Sequence, residues 1–380
     1  MLSAAASALS PSLGLASPAN PSRSINPRWY GFNLLEYFSI DPDWMKYFPF
    51  KNDGNFQGDD FRWIADWGFN WVRLPMDYRF WTDPNDPMKI HEQKVEPIDH
   101  AIRLGQKYGI HINISLHHAP GECILDGMDA ERTGIHVTSE KTSVYKDPAT
   151  LDAFVHQWTY FAARYKGISS NDLSFNLVNE PKENGKPISQ GEKDYVRVAK
   201  MAIQAIRAID PQRLIVTDGY PVGTQPIPGL FDTGILQSAH DYVPALVTHY
   251  GIPWGPSGAQ IGKEPVPTWP LKNAQGKIIE DRQTIEARFH PWGDLAQHGI
   301  PIHFGELGCG NHTPPSVAYA WYNDTLDMIG GLRSGWALWN FRGPFGILDT
   351  NRTGTRYKNW HGHQLDLTLL NILQSKMRAV

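Results

Sequence analysis

From about residue 29 onward, short runs of β-branched and aromatic residues alternate with longer stretches whose apolar positions recur at helical spacing. The short runs predict strands at Trp29 to Asn33, Trp71 to Pro75, Ile110 to Leu116, Leu173 to Asn179, Leu214 to Asp218, Leu236 to Tyr242, Pro301 to Gly305 and Trp336 to Asn340. Helical patterns cover Phe56 to Trp67, Pro97 to Tyr108, Leu151 to Tyr165, Glu192 to Ile209, Ile285 to His298, Val317 to Ile329 and Leu365 to Leu373. Strand and helix in repeated alternation predict βα units around a parallel sheet, and eight of them predict an α/β fold closed as a (β/α)8 TIM barrel. One gap is poor, because the segment after Asp218 is rich in Pro and Gly and leaves little room for a full helix. Four long loops, Ile40 to Asn55, Trp81 to Lys94, Pro120 to Asp147 and Gly251 to Lys277, each follow or surround the C-terminal end of a strand. They are expected to crowd the face on which such barrels bind ligands.

At 380 residues the chain fits one barrel with loop insertions, and no low-complexity linker suggests an appended module. Residues 28–380 are read as the catalytic domain. Residues 1–27 are read as a leader, because Met1 to Ala19 is small, apolar and uncharged like the middle of a secretory signal, although it lacks a basic start. Secretion or periplasmic export is the corresponding expectation. A net charge of −4 with mixed signs gives no reason to expect a nucleic-acid partner. No run of about 18 apolar residues predicts a membrane span. Two cysteines, Cys123 and Cys309, form no disulfide framework and no metal-binding spacing, and whether they pair is open. Fourteen Trp and fifteen Tyr are more than a core needs, and many fall near strand ends, where rings stack on the apolar faces of sugars or pack the barrel rim.

Chemistry enters with Asn179-Glu180-Pro181, which follows the apolar run Leu173 to Val178 and places a carboxylate beside an amide at a strand tip. A second carboxylate, Glu306, closes the strand Pro301 to Gly305. Two strand-end carboxylates facing each other across a barrel mouth are the minimum equipment for cleaving a glycosidic bond, one held protonated as the acid and the other ionised. Arg73, in Val72-Arg73-Leu74, is the cation placed to keep one of them ionised. A plain structural ion pair is compatible with that role.

Several further motifs, in order along the predicted strands, resemble those of family 5 glycoside hydrolases, the cellulase-like retaining β-glycanases. Gly31-Phe32-Asn33 is similar to the first strand of that family and Arg73 to its strand-two arginine. His117-His118-Ala119-Pro120-Gly121 is similar to the strand-three motif, with Ser115 where an Asp is usual. Asn179-Glu180-Pro181, His240-Asp241-Tyr242-Val243-Pro244 followed by Thr248-His249, Phe304-Gly305-Glu306 and Trp339-Asn340-Phe341 complete the resemblance.

The resemblance implies that Glu180 protonates the leaving oxygen and later activates water, while Glu306 attacks the anomeric carbon. Asn179 would bind the sugar 2-hydroxyl, Tyr242 would donate to Glu306, His117 would bind a hydroxyl of the same sugar, and His240 would reach Glu180. Trp339 would floor the central sugar site, and His118 is counted with the substrate-binding set. For the adjacent histidines His117 and His118, satisfied rim histidines and metal ligands are the alternative readings, the latter without a third ligand at a supporting spacing. His240 is preferred over His249 for its spacing to Tyr242 and Pro244. Trp254, Trp269 and Trp292 are read either as outer sugar platforms or as packing for the loop after strand six.

The expected activity is endo-cleavage of β-1,4-glucan with retention, by a monomer without cofactor or metal. Its rivals are an exo-acting β-glucosidase, a β-1,3-glucanase or a β-mannanase, a carbohydrate-binding barrel without turnover, and a phosphate-handling barrel using Gly308-Cys309-Gly310-Asn311.

Overall fold

The computed structural model describes residues 27–48, 53–183, 185–256 and 264–378. The leader, apart from residue 27, therefore lies outside the described residues. Eight parallel strands form the barrel: β1 (Tyr30–Asn33), β2 (Trp71–Asp77), β3 (His111–Ala119), β4 (Leu173–Asn176), β5 (Leu214–Asp218), β6 (Leu236–Asp241), β7 (Ile302–Leu307) and β8 (Trp336–Leu338). Each pairs with its sequence neighbours, and β8 returns to pair with β1, so the sheet is closed and has no free edge.

The alternation inside these strands explains both sides of the wall. In β3, His111-Ile112-Asn113-Ile114-Ser115-Leu116 sends isoleucine and leucine outward into the helices and polar groups inward, as period two requires. The barrel interior is thus polar and hydrogen-bonded, while the apolar core lies between strands and helices. At the N-terminal end the interior is filled by rings: Trp71 stacks on His111 at 4.7 Å and contacts His303 at 4.6 Å, with Trp29 beneath.

The outer ring comprises α1 (Gly58–Asp66), α2 (Glu96–Tyr108), α3 (Pro148–Arg164), α4 (Ile188–Ile209), α5 (Arg282–Gln297), α6 (Pro315–Gly331) and α7 (Leu367–Arg378). Several begin a few residues earlier than apolar periodicity alone indicates, because polar caps precede the first apolar position. Asp147 accepts from the Thr150 amide at 2.7 Å ahead of Pro148, and Asp281 with Thr284 forms a capping box. After β5 a single 3-10 segment, Pro228–Thr233, stands in place of a helix, as the Pro- and Gly-rich sequence requires.

Two differences from the sequence reading concern the catalytic face. β4 ends at Asn176 rather than Asn179, because the chain turns over the barrel mouth there. Glu180 then takes a left-handed φ of 45°, a conformation costly for a side chain with a Cβ. The second difference is a long segment after β8, beyond the four long loops expected, with its own hairpin of Lys358–Trp360 and His363–Leu365.

Rim loops interlock. Asp43 accepts from the His136 amide at 3.0 Å, Asp41 from the Thr138 hydroxyl at 2.7 Å, and Arg132 donates to the Gly255 carbonyl at 2.7 Å. The loops after β1, β3 and β6 therefore meet above the barrel mouth.

One glycine sets the register of the site. A Cβ on Gly305 would sit 2.5 Å from the Ser238 hydroxyl and 3.4 Å from the His240 ring. Gly305→Ala is expected to lower stability by about 1–3 kcal/mol through overpacking. It should also displace His240, so turnover should fall more than the melting temperature alone accounts for. Denaturant titration and kcat measured on the same preparation would check this.

Candidate active site

Arg73 lies on the barrel axis, 1 % exposed, and every N–H of its guanidinium has an acceptor. Nε donates to Asn176 Oδ1 at 3.0 Å, Nη1 to Asn33 Oδ1 at 3.0 Å and to Glu306 Oε1 at 2.5 Å. Nη2 donates to Ser115 Oγ at 3.0 Å and to Asn179 Oδ1 at 2.8 Å. Five acceptors from β1, β3, β4, the turn after β4 and β7 converge on one planar cation, a fork geometry lysine cannot reproduce.

Glu306 holds this contact with one oxygen and accepts from the Tyr242 hydroxyl with the other, at 3.0 Å. Burial pushes its carboxyl up to about 6, against the pull of His240 and Arg73 in the opposite direction. Tyr242 is held protonated by burial and by the adjacent Glu306, so it remains a donor. Glu180, the more exposed of the two glutamates, meets His240 Nδ1 at 2.9 Å. One carboxylate oxygen from each glutamate and a ring nitrogen of His240 lie within 4.8 Å of one another. That proximity fits retention, which needs carboxyl groups about 5–5.5 Å apart, and leaves no room for the water an inverting site holds at about 6.5–9.5 Å.

His240 is buried and, on that ground alone, would be neutral. Asp218 and Glu306 reverse this and raise its pKa to about 10. Its Nε2 stands 3.3 Å from Asp218 Oδ2, and that oxygen also accepts from the Glu180 amide at 3.0 Å. Asp218 is fully buried, yet His240 and Arg73, 3.6 Å away, hold its carboxyl well below the usual range against the effect of burial. One carboxylate thus keeps His240 charged and fixes the strained backbone of Glu180. Sequence reasoning missed Asp218, although it ends β5 as Glu306 nearly ends β7, and the same strand-tip rule would have found it.

The remaining predicted residues divide clearly. Asn179 shares its oxygen with Arg73 and leaves its buried Nδ2 without a protein partner. His117 stacks against Trp339 at 5.3 Å, is held neutral by burial and Arg73, and has an unpartnered Nδ1. Trp339, 6 % exposed, lines the same cleft as His117, Glu180, His240, Tyr242 and Glu306.

His118 is a correction. Its neighbour on β3 faces the cleft, so period two sends its own ring the other way, where Arg79 and Glu140 each lie 2.8 Å from it. It ties the loop after β3 to β2 and does not line the cleft. Of the three uncertain tryptophans, Trp254 lines the cleft, Trp292 is buried against Phe304, and Trp269 donates to Asp324 at 2.8 Å on the outer surface. Cys123 and Cys309 are both buried and unpaired.

Among the described residues, two groups have the proximity of metal ligands: Glu180 with His240 and Glu306, and His118 with Cys123 and Asp126. In each a guanidinium stands against a member, Arg73 on Glu306 and Arg79 on His118, and its fixed positive charge opposes a second cation. A cation competes poorly with both.

The family model described as "Cellulase (glycosyl hydrolase family 5)" matches residues 30–343. The chain belongs to that family. It is 27 % identical over 310 residues to Endoglucanase C of Acetivibrio thermocellus, covering 74 % of this chain and 83 % of that one. It is 26 % identical over 276 residues to Cellodextrinase A of Ruminococcus flavefaciens, covering 70 % and 72 %. A crystal structure of a glycoside hydrolase superimposes with a TM-score of 0.80 at 34 % identity, over 92 % of this chain and 99 % of that one.

This family 5 glycoside hydrolase works by double displacement. The geometry suits a reaction in which Glu306, its oxygens fixed by Arg73 and Tyr242, would attack the anomeric carbon while Glu180 would give its proton to the departing oxygen. The charged His240 ring beside Glu180 would stabilise the carboxylate left behind. Esterification would remove the negative charge of Glu306, leaving Glu180 to serve as base toward water.

Glu306→Gln should abolish most turnover with the fold intact, and full activity in that variant would remove it from the nucleophile role. In the wild type the ionised nucleophile is present above about pH 6 and lost below it, so kcat/KM should fall on the acid side of about pH 6. Asp218→Asn removes the main support for the charge on His240. Turnover should drop about a hundredfold, at the low end of the 10²–10⁴ range that acid–base groups supply, and the alkaline limb of the pH profile should move to lower pH. An unshifted alkaline limb would show that Asp218 only packs.

Proposed function

We propose that the enzyme hydrolyses β-1,4-glucosidic bonds in glucan chains and their oligosaccharides. The observation that carries this reading is Trp339, whose indole floors the cleft beside Glu306 and Glu180, with Asn179 and His117 offering unpartnered nitrogens around it. A ring platform with hydroxyl-binding groups at its edge suits an equatorially substituted pyranose. The names of the relatives, an endoglucanase and a cellodextrinase, support the glucan and short-chain aspects respectively. The cleft volume of about 390 Å³ suits a few sugar rings.

A second reading, removal of a terminal glucose, is favoured by one feature. Phe38 lies 5.6 Å from Trp339, Trp44 lies 5.2 Å from Phe38, and Trp254 lies 5.2 Å from Trp44. Phe345 then joins Trp254 to Tyr242. This aromatic wall stands on the β8–β1 side of the central sugar, where the non-reducing end of a longer chain would continue.

Among the described residues no helix is long and apolar enough to cross a membrane. Export remains a proposal resting on the composition of residues 1–19. Product analysis on soluble β-1,4-glucan and on cello-oligosaccharides tests the central reading. Rapid loss of viscosity per reducing end is expected for internal cleavage. Glucose as sole product with viscosity unchanged would establish the terminal mode, and inactivity on every β-1,4-glucan would overturn both.

A further inference from the structure

The turn that carries Glu180 has no strand ladder to hold it. β4 ends at Asn176, and Glu180 sits beyond it at a φ of 45°. A left-handed residue with a Cβ persists only where the chain on both sides of it is fixed. On the N-terminal side the Asn179 amide donates to the Leu116 carbonyl at 2.8 Å, and the Glu180 amide donates to Asp218 Oδ2 at 3.0 Å. On the C-terminal side Pro181 has no N–H, and its carbonyl accepts from the Val222 amide at 3.2 Å. The next two amides go to side chains. Lys182 donates to Glu122 Oε1 at 3.1 Å, and Glu183 donates to the Tyr220 hydroxyl at 3.1 Å.

The fold aims Glu122 at this turn. It belongs to a short antiparallel ladder that folds back on the end of β3, with Glu122 opposite Ala119 and Cys123 opposite His118. The reversal passes through Gly121, where φ is 73° and a Cβ would stand 2.3 Å from Thr150 Cγ2 and 2.4 Å from the Val144 nitrogen. Glycine is required there, and the carboxyl that follows it is 7 % exposed. Tyr220 is also buried, stacked on Tyr195 with ring centroids 6.1 Å apart. Burial pushes the Glu122 carboxyl up to about 8, with Asp126 and Glu183 acting in the same direction. Near neutrality the group is therefore mostly uncharged, and it tethers the turn without adding a negative charge beside it.

We propose that Glu122 and Tyr220 are positioning residues for the acid: through the Lys182 and Glu183 amides they hold the Glu180 carboxyl toward the glycosidic oxygen. Neither lines the cleft, so their effect reaches the reaction only through Glu180. The proposal rests on the reading of Glu180 as the acid. Losing a tether should weaken proton donation to the departing oxygen and leave attack by Glu306 intact.

The experiment compares kcat/KM on two aryl β-cellobiosides, 2,4-dinitrophenyl and phenyl. Dinitrophenolate departs without a proton, whereas phenolate needs the acid. Glu122→Leu removes the acceptor for the Lys182 amide at similar volume. It should lower kcat/KM on the phenyl substrate about ten- to a hundredfold and change the dinitrophenyl value less than about twofold. Glu122→Gln keeps an oxygen for that amide and should restore most of the lost rate. Tyr220→Phe, which removes one hydroxyl, should show the same split and serves if Glu122→Leu does not fold. Equal falls on both substrates in a folded variant would reduce these residues to packing and overturn the proposal. An unchanged phenyl value, or Glu122→Gln as slow as Glu122→Leu, would overturn it as well. Glu180→Gln, assayed alongside, should show the largest split. Its absence there would overturn the acid assignment itself.

Discussion

The guanidinium of Arg73 is the point on which the catalytic half of this barrel depends. It joins β2 to residues from β1, β3, β4 and β7 within one plane, at a depth where an unpaired charge would be prohibitive. Because the same cation bonds both Asn179 and Glu306, those two side chains are set relative to each other. The closed sheet supplies the rigidity, and Arg73 converts it into a fixed spacing between two groups of the site.

A second level of organisation separates the two glutamates electrically. Glu306 is buried among donors and lies beside two cations, whereas Glu180 sits nearer solvent on a strained turn held by Asp218. His240 stands between them with its charge maintained from behind. Two like carboxylates can then take unlike roles because their surroundings, and not their chemistry, differ.

Much of this was legible in the residues. Alternation in stretches such as His111 to Leu116 located the strands, and the predicted strand-end positions of Glu180 and Glu306 pointed to the barrel mouth where the two carboxylates meet. Arg73, Asn179, His117, His240, Tyr242 and Trp339 converge around that centre in the structure. His118 was misplaced because two adjacent residues of one strand cannot share a face, a rule applied to the strand but not to its last pair. Asp218 has a strand-end position as its signal, but its role is not legible in the sequence, because its partners His240 and Arg73 lie 22 and 145 residues away. The wall of Phe38, Trp44, Trp254 and Phe345 was out of reach for the same reason: it is assembled from three loops whose meeting depends on bonds such as Asp43 to His136.

Those rim loops are held to one another by Asp41 with Thr138, Asp43 with His136, and Arg132 with Gly255, none of which belongs to the network around Arg73. The rim and the reaction centre are therefore separable inheritances. A lineage can recombine or lengthen the loops as a block, trading one class of β-glucoside for another, while the barrel beneath preserves the same bond-breaking step.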